Sequence, residues 1–256
     1  MAGHSHFANI MHKKARTDAK RGKAFSKVST LIMAAVRQGG PKIEDNPRLQ
    51  LALEKARAAN MPKDTIQRAI DRASGAGGTQ DYVELTYEAY APGGVAMLIE
   101  TLTDNRNRTN TEVRTIVDKN GGSMGASGSV AWMFQRVGQI EVSAAATTEE
   151  RLFELALEAG AEDIALLDAG TDDARFLVTT PVTAFAEVRA ALDAAGLEPS
   201  RAELAMVADN HVEADLATAR KVMRIQGLLE ENDDVQTVTT NLDVSEDVAA
   251  ALAADE

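Results

Sequence analysis

Between His12 and Lys27 the chain reads HKKARTDAKRGKAFSK and brings Lys13, Lys14, Arg16, Lys20, Arg21, Lys23 and Lys27 close together. If the segment is helical, 100° per residue puts all seven within an arc of roughly half the circumference. Ala15, Ala19, Gly22 and Phe25 fall on the other half. A half-cylinder of cations backed by small packing residues suits a phosphate backbone, because each contact releases condensed counterions. The residues before it, MAGHSHFAN, are small enough for an extended tail to enter a groove. There His4, His6 and Phe7 are placed to stack on bases.

A second candidate is Thr103-Asp-Asn-Arg-Asn-Arg-Thr109, which joins a strand to a helix. Asn105 or Asn107 can cap that helix, leaving Arg106 and Arg108 over unpaired N–H groups, a plausible phosphate site. The competing reading pairs these arginines with nearby carboxylates. Gly121-Gly-Ser-Met-Gly-Ala-Ser-Gly-Ser129 has the look of a phosphate loop but lacks a Gly-Lys-Ser/Thr ending and precedes a strand, so it reads as a permissive connection. No metal site is expected: the early histidines have no cysteine and no carboxylate before Asp18 to complete a closed site. Nor is a catalytic site or cofactor expected. His211 is the only histidine outside the tail, Ser-His-Asp spacing is absent, and the acidic clusters read as solvated surface.

The elements that must position these residues follow from periodicity. Phe25, Val28, Leu31, Ile32, Ala35 and Val36 mark one helical face, which Gly39-Gly40-Pro41 ends. Asn46-Pro47 caps and opens a second helix with Leu49, Ala52, Leu53 and Ala56 inward, and Pro62 starts a third with Ile66, Ala69 and Ile70 inward. Gly75 closes it, and Ser74–Gly78 reads as a linker. Beyond lie strands Val83–Tyr90 and Val95–Thr103, a helix Asn107–Asn120 and a strand Ser129–Phe134. Residues 138–208 then give the order βαββαβ, which is ferredoxin-like. A helix Glu213–Glu231 and a strand Val235–Thr240 follow; the pattern leaves open which sheet that last strand joins.

The expected fold is therefore α+β: an N-terminal three-helix domain, then two α/β domains, with the ferredoxin-like one inserted within the other. The boundaries are 1–78 for the basic helical domain, 79–137 plus 209–245 for the first α/β domain, 138–208 for the insert and 246–256 for an acidic C-terminal tail.

Charge is divided along the same lines. The 256-residue chain has a net charge of −12, yet residues 1–78 hold 15 Lys/Arg against 6 Asp/Glu, while the remaining 178 hold 12 against 33. A basic module on an acidic body points to a polyanionic partner. The absence of cysteine fits a reducing cytoplasm. No apolar run approaches the roughly 20 residues needed to span a bilayer, and the N-terminus does not read as a secretory signal. A cytoplasmic monomer with no membrane contact is expected.

Several long motifs, in order, closely resemble the YebC family. They are Met1-Ala-Gly-His-Ser, His12-Lys-Lys, Asp18-Ala-Lys-Arg-Gly-Lys23, Asn46-Pro-Arg-Leu49, Ala58-Ala-Asn-Met-Pro-Lys-Asp64, Tyr87-Glu-Ala-Tyr90, Pro92-Gly-Gly-Val95, Leu102–Thr109, Gly128-Ser-Val130 and Glu231-Asn-Asp-Asp-Val235. His6-Phe7 stands where the family commonly has Lys-Trp, and Met11 where it commonly has lysine. The resemblance implies a helical domain with two α/β domains and a role in gene expression. Family members are described as probable DNA-binding transcriptional regulators; mitochondrial relatives look like translational activators, and bacterial ones like factors relieving proline-rich stalls. The absence of base-reading motifs favours rRNA or tRNA on the ribosome over DNA as the partner.

Overall fold

Helix α1 (Arg21–Gly39) opens the computed structural model, which describes residues 21–75 and 82–254. It ends where Gly40 takes a φ of 83°, conformational space that glycine enters without strain. Helices α2 (Pro47–Ala58) and α3 (Lys63–Ser74) each lie along α1 rather than along one another. Asn46, only 3% exposed, ties the arrangement together. Its Oδ1 accepts from the Leu49 amide at 3.0 Å, capping α2, while its Nδ2 donates to the Ala35 and Gly40 carbonyls at 2.8 Å each. The core is thin: Ile32, Leu49, Leu53 and Met61 sit among Ala35, Ala52, Ala56, Ala69 and Ala73. Small residues let the helices approach closely, at the cost of buried apolar area.

The chain continues through β1 (Val83–Tyr90), β2 (Ala96–Thr103), α4 (Arg106–Lys119), β3 (Ser123–Met124), β4 (Phe134–Ser143), α5 (Glu149–Glu158), β5 (Asp163–Leu167) and β6 (Arg175–Pro181). It ends with α6 (Phe185–Ala194), β7 (Arg201–Ala208), β8 (Val212–Glu213), α7 (Leu216–Glu230), β9 (Val235–Thr240), β10 (Leu242–Asp243) and α8 (Glu246–Ala254). The described residues divide into two compact units. One comprises residues 21–75, 82–131 and 215–240, the other 132–214 and 241–254.

The first unit carries the three helices and a sheet of order β3-β1-β2-β9. Strands β1 and β2 pair antiparallel from Val83↔Thr103 to Tyr90↔Ala96, around a turn in which Gly93 and Gly94 have φ of 80° and 76°. β9, far along the chain, adds antiparallel to β2, which answers the question the sequence left open. α7 packs on β9 and on α4. Val113, Val117, Val222, Ile225 and Leu229 of the two helices are fully buried.

The second unit has the sheet order β5-β6-β4-β7, all antiparallel, which is the ferredoxin-like arrangement of a βαββαβ chain. Ile140, Val142, Phe176 and Val178 alternate toward Leu152 and Ala156 of α5 and Val188 and Leu192 of α6. The α+β class, with helices first and one α/β domain inserted in another, is thus the observed fold.

Details differ from the sequence expectation. Ser129–Phe134 is not a strand: Ala131–Met133 form a short 3-10 turn, and β4 runs unbroken from Phe134 to Ser143. The reason is local, since backbone amides at 128, 130 and 131 are held by a buried carboxylate and cannot join a ladder. The units change after Ala131, Ala214 and Thr240, because β4 pairs with β7 all the way from Phe134↔Ala208. Val212–Glu213 pairs in parallel with Leu242–Asp243. Glu246–Ala254, in the segment read as an acidic tail, is helical, with Leu252 buried. No helix among the described residues is long and apolar enough to cross a membrane.

Candidate nucleic-acid interface

His4, His6, Phe7, Lys13, Lys14, Arg16 and Lys20 lie outside the described residues. Arg21 is the first described residue of α1. Two further members of the cationic set, Lys23 and Lys27, have protein partners. Lys23 Nζ donates to the Glu231 carbonyl at 2.9 Å and lies 4.0 Å from its carboxylate. Lys27 Nζ donates to the Glu230 carbonyl at 2.7 Å. Both carbonyls close the C-terminal end of α7, where unpaired C=O groups and the helix dipole favour cations. Their geometry holds α1 against α7, a duty the spacing of lysines did not announce.

Arg106 and Arg108 part company. Asn105, not Asn107, caps α4, accepting from the Arg108 amide at 3.1 Å. The Arg108 guanidinium donates to both carboxylate oxygens of Asp234 at 2.9 Å and to Asp104 at 3.0 Å. Hydrogen bonds to Asp234 hold its proton more firmly than usual, burial opposing and Asp104 adding. Thr109 Oγ1 donates to the same Asp234 at 2.7 Å, so this cluster fastens the start of α4 to the start of β9. Arg106 is exposed and makes no ion pair among the described residues. The structure therefore leaves one arginine, not two, facing outward without a partner here.

The glycine-rich loop belongs to Glu88, which sequence reading passed over. Glu88 is 7% exposed on β1, and its carboxylate accepts from the amides of Gly128 at 2.6 Å, Val130 at 2.6 Å and Ala131 at 2.8 Å. Burial pushes its pKa up, but the three amides and the Ser129 hydroxyl outweigh that and leave it below the usual value. The amides of Gly128, Val130 and Ala131 thus point at an internal anion and are unavailable to a phosphate. A Cβ at Gly125 would clash with Ser129 Oγ, and one at Gly122 would meet the Tyr90 carbonyl at 2.8 Å, so these glycines serve close packing. A carboxylate inside Tyr87-Glu-Ala-Tyr90, on a strand with its neighbours turned inward, was the available clue.

Five other cations of the helical region stay open, whereas Arg48 pairs with Glu84 and Gln38. Lys42, Lys55, Arg57, Lys63 and Arg72 are exposed, with no hydrogen bond or ion pair from their side chains among the described residues. Asp64 and Asp71 interrupt the row on α3. Helices α2 and α3 both lie along α1. Among the described residues no group of three His, Cys, Asp or Glu side chains is placed to hold a metal ion.

An aliphatic core, a helical region with outward cations, and a ferredoxin-like insert define a class of protein that the comparisons make specific. Residues 5–76 match the TACO1/YebC protein N-terminal domain, and residues 82–242 match the TACO1/YebC second and third domain. The chain belongs to the TACO1/YebC family. It is 51% identical over 254 residues to a probable transcriptional regulatory protein of Rubrobacter xylanophilus, covering 99% of this chain and 100% of that one. It is 49% identical over 252 residues to the transcriptional regulatory protein PmpR of Pseudomonas aeruginosa, covering 98% and 100%. A crystal structure of a conserved hypothetical protein from Aquifex aeolicus superposes with a TM-score of 0.78 at 43% identity, covering 91% of this chain and 94% of that one.

Proposed function

We propose that this protein is a non-catalytic, nucleic-acid-binding regulator of gene expression that acts in the cytoplasm as a monomer, docking its basic N-terminal region on RNA at the ribosome to assist translation. The observation that carries the reading is the segregation of charge: 15 Lys/Arg against 6 Asp/Glu in residues 1–78, on a body with 12 against 33. Lys13, Lys14, Arg16, Lys20 and Arg21 lead the phosphate contacts, with Arg106 as an outlying cation. An acidic body is repelled by long duplex DNA but tolerated at a ribosomal site, where RNA and basic proteins alternate. Ribosomal RNA presents one fixed shape, so no set of base-reading side chains is needed.

Transcriptional control through DNA is the second reading, favoured by the names of the Rubrobacter and Pseudomonas relatives. It requires a sequence preference of about a thousandfold or more. Paired ribosome profiling and mRNA sequencing, in cells with and without the protein, separates the two. Altered ribosome occupancy at unchanged mRNA levels is the expected result. Changes confined to mRNA, with a sharply preferred DNA site, would replace the translational reading by the transcriptional one.

A further inference from the structure

Helix α5 presents two parallel rows to solvent in the second unit. Residues four apart stack along a helix face. One such row is Glu149, Phe153 and Leu157; the next is Glu150, Glu154 and Glu158. Phe153 is 49% and Leu157 39% exposed, about 100° around the helix from Leu152 and Ala156, which are fully buried in the core. The helix therefore already has its inward stripe, and the second apolar pair is additional to it.

The acidic row carries no ion pair, although the helix dipole favours Glu150 in the first turn. Glu150, Glu154 and Glu158 make no ion pair among the described residues, and each is the like-charged i, i+4 neighbour of the next, an unfavourable arrangement. Arg151, the one cation on α5, is drawn away, its Nη2 donating at 3.3 Å to the Ala195 carbonyl at the C-cap of α6. An exposed aromatic–aliphatic pair flanked by unpaired carboxylates is a surface whose two faults, apolar exposure and charge repulsion, one kind of partner removes together.

We propose that this face of α5 docks a cationic amphipathic helix of another protein, with leucine-like side chains against Phe153 and Leu157 and a row of lysines or arginines at i, i+4 spacing against Glu150, Glu154 and Glu158. Helix-against-helix docking reads such rows directly. Phe153 is the anchor, and the carboxylates set register and speed association. The proposal stands without the nucleic-acid reading, although basic ribosomal proteins would offer such helices.

The probe is a labelled synthetic helical peptide with leucines in one i, i+4 row and lysines in the adjacent row, titrated with the full-length protein by fluorescence anisotropy. Binding is expected, with the triple variant Glu150→Gln, Glu154→Gln, Glu158→Gln weaker by about tenfold. Phe153→Ser should lose a comparable factor, and a scrambled peptide of the same composition should bind no better than the wild-type peptide does to the triple variant. RNA binding, titrated in parallel, should be unchanged in all variants, which keeps this outcome distinct from that of the nucleic-acid reading. Equal affinity of wild type and triple variant, or of ordered and scrambled peptides, overturns the proposal. So does earlier melting of the triple variant, which would make the carboxylates structural. Self-association of the wild type that the variant abolishes overturns it too, by making a second copy the occupant.

Discussion

The helical region leaves several cations outward beside the engaged Lys23, Lys27 and Arg48, whereas the ferredoxin-like insert commits Arg175 and Arg201 to its own carboxylates. In the insert, Arg175 bridges Glu141 at 3.1 Å and pairs with Asp168, and Arg201 pairs with Glu203 and reaches Glu141 at 3.5 Å. Those groups form a ladder across the sheet face away from the helices, with Arg175, Glu141 and Asp168 each about nine-tenths buried. In the helical region Lys42, Lys55, Arg57, Lys63 and Arg72 point outward with no such partner among the described residues. Formal net charge is therefore a poor guide to what a surface offers. What matters is which charges the fold has already used, as Arg175 is used between Glu141 and Asp168.

The largest expected effect tests the cationic side. Reversing Lys13, Lys14, Lys20 and Arg21 to Glu should weaken RNA binding by about a thousandfold at moderate salt, with an unaltered circular dichroism spectrum. An unchanged binding isotherm would erase the contrast between the regions. With Lys23 and Lys27 engaged at the end of α7, the cations from Lys13 to Arg21 should give a slope of log affinity against log salt near −4.5 on a duplex, shallower on single strands. A slope near zero would show them to be solvated surface.

On the insert side, Arg175→Ala removes the guanidinium that buried Glu141 and Asp168 share, leaving Glu141 its 3.5 Å pair with Arg201, and should cost about 3 kcal/mol in denaturant unfolding. A loss under about 1 kcal/mol would mean the ladder is screened by water. Glu88→Gln should cost a similar amount, about 3 kcal/mol, because the site is built to hold an anion. Since its folded pKa is lowered, the Glu88 contribution is fully present above the unfolded value near 4.5 and is lost as pH falls through the folded one. The Gln variant should lack that acid-limb dependence, which a pH series of melting curves reads.

The smallest effect divides the two arginines of α4. Arg108→Ala should lose about 1 kcal/mol, a value limited by its partial exposure, whereas Arg106→Ala should stay within about 0.5 kcal/mol. Only Arg106→Ala should lower RNA affinity at unchanged stability. Equal melting shifts would show that Asp234 does not distinguish them.

Local chemistry made much of this fold legible from sequence. Asn46-Pro47 at the start of α2, the strand pair around Pro92-Gly93-Gly94 and the βαββαβ order of the insert all rest on interactions within a few residues or on periodicity. The candidate site was less legible. Lys13 and Lys23 look alike in sequence, and nothing local says that Lys23 meets the Glu231 carbonyl, 208 residues away. The strand expected at Ser129–Phe134 failed for the same reason, because its amides answer to Glu88, some 40 residues earlier.

The sequence by itself determined the helical and strand periods, the uneven division of charge and the family, since each is carried by residue order alone. Only the tertiary structure decided which charges remain available. It assigned Lys23 and Lys27 to α7, Arg108 to Asp234, the loop amides to Glu88, and Arg175 to Glu141 and Asp168. Burial makes an unpaired charge or amide costly, so each buried group must find its partner in space, and that partner is fixed by packing rather than by proximity along the chain.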